Sequence, residues 1–134
     1  MTFTIGDIRN LNTVWPLPTK KKQIVLIGAG GIVRDAHLPA YKKGGYQVRG
    51  IYDPLVEKAN ECATAFNINK VYHSLNEAIN ETDTVFDIAV PPSVLLSIVK
   101  ELPKNSICQL QKPLGNNLNE ARQIIDIIEK NNIN

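Results

Sequence analysis

Apolar positions along this chain fall into two alternating patterns. Short continuous runs recur, and between them apolar residues return at helical spacing. Ile24 to Ile27 form one unbroken run, which suits a strand buried on both faces of a parallel sheet. Gln47 to Tyr52, a short Asn69 to Tyr72, Thr84 to Val90 and Ser106 to Gln111 follow as further strands. Leu55, Ala59, Cys62, Ala63 and Phe66 share one helical face. Leu75 to Asn80 predicts a short helix, with Ser74 as cap and Glu77 three residues on, as in a capping box. Pro91 and Pro92 take the chain off the sheet, Ser93 to Glu101 reads as a helix, and Asn117 with Glu120 caps a last one through Leu118, Ala121, Ile124, Ile125 and Ile128. This rhythm predicts an α/β fold: a doubly wound parallel sheet with helices on both faces, strand order 3-2-1-4-5, and ligand at the carboxyl ends where the order reverses.

The junction after the first strand carries the most chemistry. Gly28 and Gly30 follow the run at once and lead into a helix, an order that permits a tight turn and brings free amides close to a pyrophosphate. The third small position of the G-x-G-x-x-G/A fingerprint is filled by Val33, which predicts a slightly displaced first helix. Pro39 should break or kink that helix by removing a donor, and His37 beside it reads as a packing residue. Asp53 ends the second strand 25 residues after Gly28, close to the spacing of about 20 expected for an acid that holds a ribose. A carboxylate there accepts both ribose hydroxyls and repels a 2′-phosphate, which favours NAD over NADP; the plainer reading is a turn aspartate before Pro54.

Size and composition narrow the partners. At 134 residues the chain is one domain, small for a complete two-substrate enzyme. Fifteen basic and 13 acidic residues form no basic face, so nucleic acid is not implied. Lys20 to Lys22 read as a solvated lead-in. No apolar run suits a membrane span, and Cys62 and Cys108 lack metal spacing, so the expectation is a cytoplasmic protein with two core thiols and no metal. Residues 1–22 have no period and read as an amino-terminal arm whose Trp15-Pro16-Leu17-Pro18 packs on the domain or on a partner; residues 23–134 are the dinucleotide-binding domain.

GAGGIVRDAHLPAY, IYDP, AVPP and QKPLG, in that order, resemble the amino-terminal half of the Gfo/Idh/MocA oxidoreductases, named for glucose-fructose oxidoreductase, inositol dehydrogenase and rhizopine catabolism. The resemblance covers nearly all of residues 23 to 131 and implies an NAD(P)-binding Rossmann fold. The cofactor site it implies comprises Gly28, Ala29, Gly30, Gly31, Ile32, Asp53, Val90, Pro91, Pro92, Gln111 and Lys112. Gln111-Lys112-Pro113 matches the family's Glu-Lys-Pro beside the nicotinamide, so Lys112 would touch the substrate hydroxyl and help move its proton. Pro113 would follow a cis peptide bond, which proline makes accessible at a cost of about 0.5–1 kcal/mol. Two departures stand out: Gln111 replaces the family's glutamate, and Leu95 stands where many members have histidine.

The resemblance further implies a second, substrate-binding domain that this sequence does not contain, with a sugar, cyclitol or related polyol as substrate. A homo-oligomer is expected through an apolar flank at the fifth strand and last helix. The activity implied is hydride transfer between nicotinamide and a secondary alcohol. The competing reading is a nucleotide-binding or partner-binding module with no catalysis of its own, and a weaker one keeps the sheet but takes S-adenosylmethionine or coenzyme A.

Overall fold

The computed structural model describes Pro16 and residues 18–134. Its elements run β1 (Gln23–Ile27), a π-helical turn (Val33–His37) leading into α1 (Leu38–Gly44), β2 (Val48–Tyr52), α2 (Val56–Phe66), α3 (Leu75–Ile79), β3 (Thr84–Ile88), α4 (Pro92–Glu101), β4 (Ile107–Leu110) and α5 (Leu118–Lys130). The strands form one parallel sheet in the order β2-β1-β3-β4. The expected strand at Asn69 to Tyr72 is reduced to a single parallel bridge, Ile51 to Val71, outside β2. Counting that bridge, the order is the 3-2-1-4-5 of a Rossmann sheet, with its reversal between β1 and β3. The shortness has a local cause. Asn67, left-handed at φ 55°, ends α2, and Ser74 already caps α3, so few residues are left to extend.

Alternation along the strands divides the core in two. Val25, Ile27, Phe86 and Ile88 face Tyr72, Leu95, Val99 and Ile124. Ile24, Leu26 and Ile51 face Val33, Leu38, Ala59 and Cys62 on the other side. Both predicted caps form, with Ser74 Oγ accepting from Glu77 N–H at 3.1 Å and Asn117 Oδ1 from Glu120 N–H at 3.0 Å. The Glu77 carboxylate reaches back to the amide of His73 rather than that of Ser74.

Several expectations need correction. The first helix does not break at Pro39. Leu38 N–H bonds to the carbonyl of Val33, five residues back, and this wider turn carries the helix past the missing donor. Leu55 lies outside the apolar stripe of α2, and Leu118 and Ile125 are exposed rather than on the packed face of α5. The lysine lead-in is partly anchored, since Lys21 donates to the Gly44 carbonyl at 2.6 Å and Lys22 pairs with Asp83. Cys62 is a buried core thiol; Cys108 is only half-buried, on the edge strand β4. Burial pushes both thiols up from their ordinary range. Trp15 and Leu17 lie outside the described residues; Pro16 and Pro18 are exposed. Among the described residues no helix is long and apolar enough to cross a membrane.

One ionic cluster ties the rim of the sheet together. Glu81 pairs with Lys70 at 3.0 Å and Arg49 at 2.9 Å and accepts from Tyr72 Oη at 3.1 Å. The Lys70 hydrogen bond is the main cause that holds Glu81 below the usual carboxylate range. A lowered folded value means that the stabilisation is full above the ordinary carboxylate range and is lost as pH falls through that lowered value. Glu81→Gln is therefore expected to cost about 1 kcal/mol at pH 7 and less as the pH is lowered below the ordinary carboxylate range, read by urea titration at pH 7 and pH 3.

Candidate functional site

The strand ends at the reversal of sheet order open a crevice, and the sequence places its chemistry there. Gly28 leaves β1 at φ +108°, and a Cβ on it would lie 2.3 Å from the Ala89 carbonyl oxygen, so the turn passes directly against the end of β3. At Gly30 the space that a Cβ would occupy is open within 4 Å, which leaves this backbone accessible from the crevice. The Asp53 carboxylate, at the end of β2, binds two backbone amides: Ala29 N–H at 2.8 Å and Leu55 N–H at 2.9 Å. Both oxygens keep acceptor capacity after these bonds. Asp53 is thus a turn-shaping aspartate that also lines the crevice, anchored by the loop it helps to shape.

The crevice has two parts with a common wall. One part, of about 430 Å³, runs past Gly28, Gly30, Asp53, Leu55, Lys58 and Val94. The other, of about 300 Å³, is lined by Ile32, Gln111 and Lys112. Ala89, Val90 and Pro91 border both. Most of the site residues expected from sequence therefore meet around this crevice. Ala29 is buried and contributes its amide to Asp53. Pro92 is set apart, opening α4 and lining a separate hollow with Pro113 and Leu114. Leu95 is buried in the core, so it does not reach the crevice. A larger hollow, about 580 Å³, lies at the other end of the sheet among Gln23, Tyr41, Arg49 and Asn67, away from the glycine turn.

Sequence reasoning missed Leu55, Lys58, Leu75 and Val94 on the crevice wall. For Leu55, Lys58 and Val94 the signal is positional, since residues just beyond Asp53-Pro54 and at the first turn after Pro91-Pro92 lie near the strand ends; Leu75, which opens α3, carries no such signal. It also missed the partners of His37. His37 Nδ1 lies 2.6 Å from Asp87 Oδ2, Tyr41 Oη donates to the same oxygen at 2.8 Å, and Gln111 Nε2 lies 2.9 Å from His37 Nε2. Burial, and then the Asp87 hydrogen bond, push the Tyr41 phenol above its ordinary range and keep it a donor. His37 thus has a partner at each ring nitrogen, 50 and 74 positions away in the sequence.

Lys112 is exposed at the crevice mouth, and among the described residues its ammonium has no hydrogen-bond or ion-pair partner. The Lys112-Pro113 peptide is cis, as the resemblance implied. Among the described residues no group of three or more acidic, histidine or cysteine side chains could hold a metal ion.

Residues 22–133 match the family described as "Oxidoreductase family, NAD-binding Rossmann fold". The chain belongs to the Gfo/Idh/MocA oxidoreductase family. Its matched residues are the family's NAD-binding Rossmann domain, and the open backbone at Gly30 together with the anchored carboxylate of Asp53 fits a dinucleotide. A curated relative, the uncharacterized protein YMR315W of Saccharomyces cerevisiae, is 31% identical over 110 residues, covering 78% of this chain and 32% of that protein. Solved structures share the fold. UDP-N-acetylglucosamine 3-dehydrogenase GnnA from Acidithiobacillus ferrooxidans has a TM-score of 0.70 at 21% identity, over 86% of this chain and 37% of its own. The WlbA dehydrogenase from Bordetella pertussis, in complex with NADH and UDP-GlcNAcA, has a TM-score of 0.76 at 16% identity, over 85% and 36%. KijD10, a 3-ketoreductase from Actinomadura kijaniata in complex with TDP-benzene and NADP, has a TM-score of 0.71 at 14% identity, over 85% and 37%. The chain spans about a third of the length of the relatives it matches.

Proposed function

We propose that this chain is the cofactor half of an NAD-dependent oxidoreductase that moves hydride between nicotinamide and a secondary alcohol of a sugar, cyclitol or related compound, working with a second domain that holds the substrate. The observation that carries this reading is the shared wall of Ala89, Val90 and Pro91, which joins the Asp53 end of the crevice to the Lys112 end. Bound there, NAD supplies the hydride acceptor. The chain's own residues do the rest. Asp53 takes the adenosine ribose hydroxyls, the Gly28 to Ile32 turn receives the pyrophosphate, and Lys112 meets the substrate hydroxyl and moves its proton. The sugar-nucleotide ligand in the WlbA structure supports a carbohydrate substrate class, and the 3-ketoreductase name of KijD10 supports alcohol–carbonyl chemistry.

Asp53 should set the preference for NAD over NADP, because a carboxylate beside the 2′ position repels a phosphate. Asp53→Asn is expected to keep one backbone contact and lose the charge. NADP affinity relative to NAD should then rise about tenfold or more, measured by competition calorimetry. The ratio is the useful quantity, since loop damage weakens both ligands alike; an unchanged ratio removes Asp53 from cofactor selection.

Gln111 favours a second reading. Its amide is engaged with His37 rather than with Lys112, so the charge that would orient the lysine is absent. On this reading the chain binds NAD and serves a partner without catalysis.

A further inference from the structure

Asp87 is 1% exposed in the middle of a strand that is otherwise apolar from Val85 to Ile88. A carboxylate so placed is costly unless it is hydrogen-bonded. Among the described residues its Oδ1 has no partner, so Oδ2 carries both contacts, from Tyr41 Oη and His37 Nδ1. The Gln111 amide nitrogen can only donate, and it lies 2.9 Å from His37 Nε2, so Nε2 accepts and the ring hydrogen sits on Nδ1, facing Asp87 Oδ2 at 2.6 Å. A carboxylate oxygen opposite Nδ1 and an amide N–H opposite Nε2 are together the contacts that one tautomer of the ring satisfies. The carboxylate in β3 therefore dictates, two hydrogen bonds away, which way round the Gln111 amide stands.

We propose that Asp87 is a positioning residue for the lysine end of the crevice: through His37 it turns Gln111 so that its N–H faces the imidazole and its carbonyl oxygen is left as an acceptor in the part of the crevice that Lys112 also lines. Position 111, where the family by resemblance carries a carboxylate, is neutral here, and the carboxylate of this hydrogen-bond chain is Asp87 in β3, on the other side of His37. The functional consequence rests on the crevice being the cofactor site, but the hydrogen-bond chain does not, and the two are tested separately. Among the described residues the titratable groups that face His37 are Asp87 from β3, by hydrogen bond, and Tyr41 in α1, whose ring centroid lies 6.2 Å from the imidazole; Gln111, just after β4, contributes none.

Long-range proton–nitrogen NMR correlation of the imidazole, on the full chain without added nucleotide, tests the proposal. The unmodified chain at neutral pH should show His37 as a single tautomer with its hydrogen on Nδ1. In Gln111→Glu a second carboxylate faces Nε2, and both ring nitrogens should be protonated. In the double variant Asp87→Asn, Gln111→Glu the acid lies only on the far side, and the hydrogen should move to Nε2. A hydrogen on Nε2 in the unmodified chain, a mixture of tautomers there, or a ring in Gln111→Glu that stays singly protonated would each overturn it. If the double variant does not fold, the first two spectra remain decisive. A chain that passes these tests but fails to bind NAD would refute the cofactor reading and leave the positioning chain intact.

Discussion

Gly28→Ala is expected to destabilise the domain by about 3 kcal/mol or more, while Gly30→Ala leaves stability within about 0.5 kcal/mol and instead weakens NAD binding. Two costs combine at Gly28. Its φ of +108° is one that an L side chain rarely adopts, and its Cβ would collide with a backbone oxygen, Ala89 O at 2.3 Å, that no rotamer change can move. Relief requires β1 and β3 to part at the point where they start the crevice. A fall in Tm of roughly 10 °C or more follows for a domain of this size. Gly30 meets no neighbour and its φ is not positive, so alanine is tolerated by the fold. On the proposed function the added methyl instead stands where the pyrophosphate approaches the backbone, and NAD affinity should drop about tenfold or more. Calorimetric scanning and titration of the two variants separate the effects; equal losses of stability would mean that the turn is only structural.

Lys112→Ala, made in an enzyme carrying the family's second domain, is expected to lower kcat by about 10²–10⁴ while changing the NAD dissociation constant by less than about threefold. The lysine is exposed, and among the described residues its ammonium holds no contact that the fold needs. Its removal should therefore move stability by no more than about 0.5 kcal/mol. Folding and binding are thus spared, and the turnover rate isolates the proton step. A variant with full turnover would assign that step to another residue; a parent enzyme with the second domain in place, binding NAD and yet without turnover on any polyol, would favour the module reading.

Features fixed by neighbours in sequence were legible before the structure. The run Ile24 to Ile27 gave β1, the Asn117 and Ser74 caps formed at the expected residues, and Pro91 ended the strand run before it. The glycine turn and Asp53 meet because both sit at strand ends, a placement that the alternating order imposes. What depended on tertiary compensation was not legible. Pro39 should break a helix by local rules, and the chain instead shifted one donor to a carbonyl five residues back. Leu118 has helical spacing but projects away from the core. The network around His37 joins residues 50 and 74 positions apart, and Asp87 reads in sequence as one polar residue in an apolar strand. That single misfit was the one available signal, since a buried carboxylate implies a donor somewhere in the fold.

Calorimetric titration of the chain with NAD, and in parallel with NADP, tests the central claim most directly. The account predicts one NAD bound per chain, more tightly than NADP, with affinity reduced by Gly30→Ala. Heat-silent mixing with both nucleotides, or NADP bound more tightly than NAD, would contradict it.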